Sequence, residues 1–367
     1  MGKRVTLFDI ADSLGISTGT VHRALHDHPG VNPQTRALVL QKAKALGYRP
    51  NLAARYLSQR HGLRISVNTP RGVTSFWEEI HSGIHKEAAS LGMDSVTLEL
   101  RTFQEPGNSE RRALESALDA GVDGIILFPS SPELVRPLIR RAARNKIPVV
   151  CIATDAPDSG RLSVVSIDTM ASGSLAADLM GRLRGGQGKV AVTCNALSIL
   201  EHAQKTQAFV ETLHKYYPAM EVVATIEEND IESEAYAKCR GLFESQPDLA
   251  GAYVTTEVSM PVLQAARDTG ILQQLTVITT DLYPSLVPEI RSGAVTATIH
   301  QRPATQGRTA FRVLYRHLVE GTMPASQVTF APHLVMRGNM DFFLQREHDH
   351  EGPDDSAGEP ASVGYTF

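Results

Sequence analysis

Leu7, Ile10, Ala11 and Leu14 follow the i, i+3, i+4, i+7 spacing of one helix face, with Thr6 placed to cap the N-terminus and Asp9 three residues on. Gly15 closes that run, Ser17 is placed to cap the next, and Val21, Ala24 and Leu25 give a second helix its apolar stripe. Asn32 reads as the N-cap of a third helix with Pro33 at its first position; Val39, Ala43 and Leu46 share a face, and Gly47 ends it. The spacing predicts three short helices, the first two joined by a tight turn. A stretch over 51–59 carries Leu52, Ala53, Tyr56 and Leu57 but is too short to be a stable helix alone, and is expected to fold only against a partner.

From residue 63 the pattern changes to short apolar runs separated by longer helical periodicities, which predicts repeated βαβ units and parallel sheets. Strands are expected at 65–67, 96–100, 125–128, 149–152, 190–192, 222–226, 252–254, 277–279 and 296–299. This is enough α/β chain for two doubly wound lobes, with a ligand cleft beyond the carboxyl ends of the strands. The fold class is therefore an N-terminal all-α helix-turn-helix head plus a two-lobed, doubly wound parallel-sheet core. The expected boundaries are 1–50 for the head, 51–62 for a linker, which the resemblance given below implies is a hinge helix, 63–346 for the core and 347–367 for a tail. Within the core, the family resemblance given below implies that lobe 1 takes about 63–168 plus 302–330, and lobe 2 about 169–301 plus 331–346.

Charge separates these pieces. The whole chain has 367 residues and a formal net charge of −4, yet residues 1–62 carry +6 and residues 347–367 carry −6. Only the head suits a polyanion. The tail, rich in Gly, Pro, Ser and Asp, is expected to be disordered. No apolar run approaches the ~18–20 residues of a membrane span, and the N-terminus lacks a signal-peptide layout, so the expected location is the cytoplasm. Cys151, Cys194 and Cys239 are odd in number and far apart, which favours core thiols over disulfides or a zinc pair.

The second helix opens Thr18-Gly19-Thr20-Val21-His22-Arg23. Arg23 can donate two hydrogen bonds to guanine O6 and N7, Thr18 and His22 can reach base edges, and Gly19 lets the backbone approach closely. Thr6, Ser17, Thr20, Asn32 and Thr35 are short polar groups at helix starts, suited to phosphate oxygens. An exposed polar helix with ordinary caps would read the same way.

Several strings fall in register with one family: Val5-Thr6-Leu7-Phe8-Asp9-Ile10-Ala11, Gly15-Ile16-Ser17, Thr20-Val21-His22-Arg23-Ala24-Leu25, Val31-Asn32-Pro33-Gln34-Thr35-Arg36 and Leu46-Gly47-Tyr48-Arg49-Pro50-Asn51. They resemble the head of the lactose-repressor (LacI/GalR) family of bacterial regulators, and the remainder is similar to that family's periplasmic-binding-protein-like core. The resemblance spans roughly residues 4–346. It implies a homodimer on a pseudo-palindromic, double-stranded operator, with Leu57 of the hinge wedged into the minor groove and Arg55 beside it on phosphate. It also implies a small polar, sugar-like effector between the lobes and no cofactor. Asp281 matches a strand-end carboxylate that accepts ligand hydroxyls, Gln301 an amide at a lobe crossover, and Phe76 and Trp77 aromatics that flank the ligand. Lys205 stands where the family usually has arginine, and Thr256-Glu257 where it has an Asn-Asp pair. Ala153-Thr154-Asp155 matches a sugar-binding Asp-Arg pair with the carboxylate displaced. Asp168 is either a ligand contact or a brace between lobes.

Other signals have simpler accounts. Gly15-Ile16-Ser17-Thr18-Gly19 fits G-x-S-x-G, but a nucleophile elbow follows a strand and here a helix precedes it. His81 and His85, and His22, His26 and His28, lack the further ligands of a zinc site, so no metal is expected. Gly185-Gly186-Gln187-Gly188 precedes a strand and reads as a turn. Two rival functions share the cleft: a solute-binding protein of transport, which the basic head disfavours, and a sugar-metabolising enzyme using Asp155, Asp168, Glu257 and Asp281, which no evident pairing supports. The expected function is that of an effector-controlled, non-catalytic transcription regulator, most simply a repressor.

Overall fold

The computed structural model describes residues 7–25, 29–46, 62–71, 75–90 and 96–348. The head consists of α1 (Leu7–Leu14), α2 (Thr18–Leu25) and α3 (Pro33–Ala45). Ile10, Ala11, Val21, Ala24, Val39 and Ala43 form its core, so each predicted stripe meets the other two. Gly15 takes φ +64° where α1 stops, a conformation open to glycine at no steric cost. Leu46 departs from expectation. It is the C-cap of α3, outside the helical register, and is 37% exposed rather than packed with Val39 and Ala43.

In chain order the core elements are β1 (Leu63–Pro70), α4 (Ser75–Ser90), β2 (Val96–Phe103), α5 (Asn108–Asp119), β3 (Gly124–Leu127), α6 (Pro132–Arg144), β4 (Val149–Ile152), β5 (Ser163–Ile167), α7 (Thr169–Leu183), β6 (Gln187–Cys194), α8 (Leu200–Tyr216) and β7 (Ala219–Glu227). There follow α9 (Glu232–Ser245), β8 (Leu249–Val254), α10 (Ser259–Asp268), β9 (Thr276–Thr280), α11 (Val287–Ser292), β10 (Ala297–His300), α12 (Pro303–Tyr315), β11 (Gln327–Phe330), β12 (His333–Val335) and α13 (Met340–His348). One sheet has the order β11-β5-β4-β3-β1-β2 and is parallel throughout. The other has the order β12-β10-β9-β8-β6-β7 and is parallel except for β12. All nine expected strands are present; β5, β11 and β12 are additional.

Both sheets are covered on two faces, as parallel sheets require. In the first lobe Ile65 and Val67 of β1 pack with Ile80, Ile84, Phe311 and Leu314 of α4 and α12, while Ile125 and Leu127 of β3 meet Leu114, Val135 and Ile139 of α5 and α6. Each such side chain contributes about 1.5–3 kcal/mol by leaving water. Helices α4 and α12 cross closely because Gly83 and Gly307 leave room: a Cβ on either would stand 2.2 Å from the carbonyl oxygen of Ala304 or Ile80. In the second lobe Val190 and Val192 pack on Phe209 and Tyr253, and Val277 on Leu263 and Ile290. The three cysteines are buried free thiols, and burial pushes each of them up to about 12.

The chain passes between sheets three times: from β5 into α7 at Asp168, from β10 into α12 at Gln301 and Arg302, and from β11 into β12. The crossings are tied together. Asp168 N donates to Phe330 O (2.8 Å), and the Arg302 guanidinium lies 5.1 Å from the Phe330 ring centre.

Candidate nucleic-acid face and inter-lobe site

Helix α2 is held by its apolar side, which leaves Thr18, Gly19, His22 and Arg23 together on the exposed side at i, i+1, i+4 and i+5. Its start is capped as expected: Thr20 N donates to Ser17 Oγ (3.1 Å), and the two hydroxyl oxygens lie 2.9 Å apart. Arg23 Nη2 leans on Thr20 Oγ1 at 3.5 Å, a weak contact that leaves the fork facing outward. Packing does not demand a glycine at 19, since a Cβ there would meet only Arg23 Nη1 at 3.7 Å and Ser17 Oγ at 3.9 Å. Asn32 Oδ1 accepts from Thr35 N (2.7 Å), closing the start of α3. Thr6, Arg55 and Leu57 lie outside the described residues. No group of three or more His, Cys, Asp or Glu side chains among the described residues could hold a metal ion.

In the core the structure brings Lys205, Asp281 and Gln301 into one hydrogen-bonded chain. Asp281 follows β9 with φ +62°, a strained position for a non-glycine residue. Its Oδ1 accepts from Gln301 N (2.8 Å) and its Oδ2 from Gln301 Nε2 (2.6 Å). Gln301 Oε1 accepts from Lys205 Nζ (2.7 Å), and Lys205 forms an ion pair with Glu201 one helical turn earlier. Exposure is 0% at Lys205, 2% at Asp281 and 6% at Gln301, so the chain satisfies its own polar groups out of water.

Thr256 and Glu257 diverge. Thr256 Oγ1 donates to Glu228 Oε1 (2.6 Å), whereas Glu257 Oε1 reaches across the lobes and accepts from Phe76 N (2.9 Å) at the start of α4. Burial, and then the charge of Asp281, push the Glu257 carboxyl up to about 8. Phe76 and Trp77 sit in the first lobe's core, Trp77 edge-on to both Phe76 (5.0 Å) and Phe128 (4.8 Å). Asp155 is gripped by Arg161 through Nε and Nη2, the latter at 2.6 Å. Asp168 is exposed and caps α7, its Oδ1 accepting from Ala171 N (2.8 Å).

Beside this chain of contacts lies a cavity of about 430 Å³. Its walls come from the ends of β4 and β5, from β11, and from the starts of α7 and α8, so both lobes contribute. Glu201, Arg161, Glu228 and Gln204 join the site without having been singled out in the sequence. Glu201 alone left a signal there, standing four residues before Lys205 on a helical run.

A three-helix head with one polar helix face turned outward, carried on a two-lobed sensor core, defines a DNA-binding transcription regulator. Residues 6–51 match the bacterial regulatory proteins of the lacI family and residues 65–322 match the periplasmic binding protein domain; the chain belongs to the LacI family, with a periplasmic-binding-protein core. It is 25% identical over 338 residues to catabolite control protein A of Priestia megaterium, covering 90% of this chain and 97% of that protein. It is 24% identical over 351 residues to the Staphylococcus aureus protein of the same name, covering 91% and 98%. Among solved structures, a glucose-galactose binding protein from Geobacillus stearothermophilus aligns with TM-score 0.72 and 23% identity over 77% of this chain and 99% of its own. A solute-binding protein from Bacillus halodurans with bound myo-inositol aligns with TM-score 0.72 and 17% identity over 79% and 99%. These last two likenesses speak for the fold of the core. No helix among the described residues is long and apolar enough to cross a membrane.

Proposed function

We propose that the protein is a homodimeric repressor of the cytoplasm. Two heads occupy adjacent half-sites of a pseudo-palindromic operator, and a sugar-like effector between the lobes sets the affinity. The observation that carries this reading is the outward face of Thr18, Gly19, His22 and Arg23 on a helix whose opposite side is locked into the head. Base edges are read from that face, while Ser17, Thr20, Asn32 and Thr35 lie near phosphates. Solved relatives of the core are named as binding galactose or myo-inositol, which supports a polyhydroxylated effector here. A ligand that prefers one lobe arrangement shifts operator affinity by a coupling energy of typically ~1–3 kcal/mol. One that spreads the hinges acts as an inducer; one that draws them together acts as a corepressor.

The enzymatic alternative loses its acid–base groups to structural duties. Asp155 is paired with Arg161, Asp281 with Gln301, Glu257 with the α4 start, and Asp168 with the α7 start. The test is capture of genomic fragments by the full-length protein at low salt. Enrichment of fragments sharing an inverted repeat, with half-sites spaced to lie on one side of the duplex, is expected. Recovery of fragments with no common sequence would contradict the reading.

A further inference from the structure

Resting on the reading that an effector binds between the lobes, we propose that this effector carries a positive charge, as an amino sugar does, and that Glu257 receives the charged group. The first argument is charge balance where the second lobe's strands end. Glu228 follows β7, Glu257 follows β8 and Asp281 follows β9, while Glu201 lies in the first turn of α8, after β6. The ammonium of Lys205 stands among these carboxylates, but it is fully buried and engaged by Glu201 and Gln301. No lysine or arginine forms an ion pair with Glu228, Glu257 or Asp281 among the described residues. Histidine does not close the gap. Burial pushes His202 down to about 4, so its ring is neutral at neutral pH. His300 Nδ1 stands 3.6 Å from Asp281 Oδ1, beyond hydrogen-bond reach, and is a buried polar atom with no hydrogen-bond partner among the described residues.

The second argument singles out Glu257. Glu228 is satisfied within its own lobe by the Thr256 hydroxyl and by Asp230 N (3.0 Å), and Asp281 by Gln301. Glu257 instead turns to the opposite lobe, where its partner is a neutral backbone amide, Phe76 N. A carboxylate drawn out of water without a cation is matched in one of two ways, by a proton or by a positive charge from outside. The carboxyl pushed up to about 8 is the first of these, a proton held at neutral pH. Asp281, Asp230 and Tyr283 act on it from the neighbouring strand ends, and Glu78 belongs to the first turn of α4; none of them is a cation. An ammonium bound to Glu257 takes the proton's place, and the proton passes to solvent.

The third argument is discrimination coupled to closure. An uncharged sugar leaves the proton on Glu257 and meets a neutral acid. An ammonium restores the carboxylate and forms a charge-assisted pair, roughly twice as strong as a neutral hydrogen bond. An anion would meet a wall of like charge. Glu257 bridges the cleft from the turn after β8 to the start of α4, so a group bound to it bears directly on whether the lobes meet.

Isothermal titration of the full-length protein at neutral pH tests this, with D-glucosamine, D-galactosamine and D-mannosamine, each beside its parent hexose and its N-acetyl derivative. The proposal expects at least one amine to bind about tenfold or more tightly than both of its uncharged counterparts. Glu257→Gln keeps the size of the side chain and an acceptor for Phe76 N but cannot carry a negative charge, and it should reduce that preference to within about threefold. The proposal is overturned if each amine is matched by its parent hexose or its N-acetyl derivative, if no amine of the panel binds, or if Glu257→Gln leaves the preference intact. The wild-type comparison needs no variant, so it decides even where Glu257→Gln melts early. Operator affinity separates the two levels: a hexose that binds more tightly than every amine and shifts wild-type operator binding sinks the positive charge and leaves the regulator standing. A DNA affinity unmoved by any compound that binds the core sinks the regulator reading itself.

Discussion

Arg23→Ala is expected to remove the preference for one base pair in each half-site, at about 1–3 kcal/mol, while leaving binding to unrelated DNA nearly intact. Arg23 is exposed on the outer face of α2, and its hydrogen bond to Thr20 is long. Folding thus makes little use of the guanidinium. Val21 and Ala24 hold the helix in place with or without it, so the head should keep its fold and its other contacts. Gel-shift competition against single-base variants of a captured operator gives the answer. Unchanged selectivity would remove Arg23 from base recognition.

Lys205→Met is expected to destabilise the core by about 3–5 kcal/mol. The ammonium is fully buried between Glu201 and Gln301, and methionine fills its volume without a charge or a donor. Glu201 would then be an uncompensated buried carboxylate. Adding Glu201→Leu should restore most of the loss, because a matched apolar pair replaces a half-broken ion pair. Urea unfolding of the two single variants and the double variant measures this coupling directly. A Lys205→Met loss below about 1 kcal/mol would mean the pair is solvated and the buried chain through Gln301 to Asp281 is not a rigid link.

Local pattern accounts for much of this architecture. The stripes at Ile10 and Ala11, Val21 and Ala24, and Val39 and Ala43 are properties of each helix alone, and the head's core is those stripes meeting. The apolar strand runs were equally plain because both faces of a parallel sheet are covered. β11 escaped notice because Gln327, Val328, Thr329 and Phe330 alternate at a sheet edge, where half the side chains face water. β5 runs straight into a crossing at Asp168, so it reads as a connection until its pairing with β4 is seen.

The site was less legible because partner choice is long-range. Lys205, Asp281 and Gln301 were identifiable by position. That they satisfy one another depends on the folded separation of segments 96 and 20 residues apart in the chain. Thr256 and Glu257, neighbours in sequence, face Glu228 and Phe76 respectively. Nothing in the local pattern marks Arg161 as the partner that neutralises Asp155.

Linkage tests the central claim most directly, namely that the state of the lobes and the docking of the heads share one free energy. Operator Kd is measured with and without a saturating sugar, and sugar Kd with and without operator, all by equilibrium titration of the full-length protein. The account predicts two ratios equal to each other and different from one, in the range of about 5–150-fold. Both ratios equal to one, with each ligand bound, would show a head and a core that ignore each other.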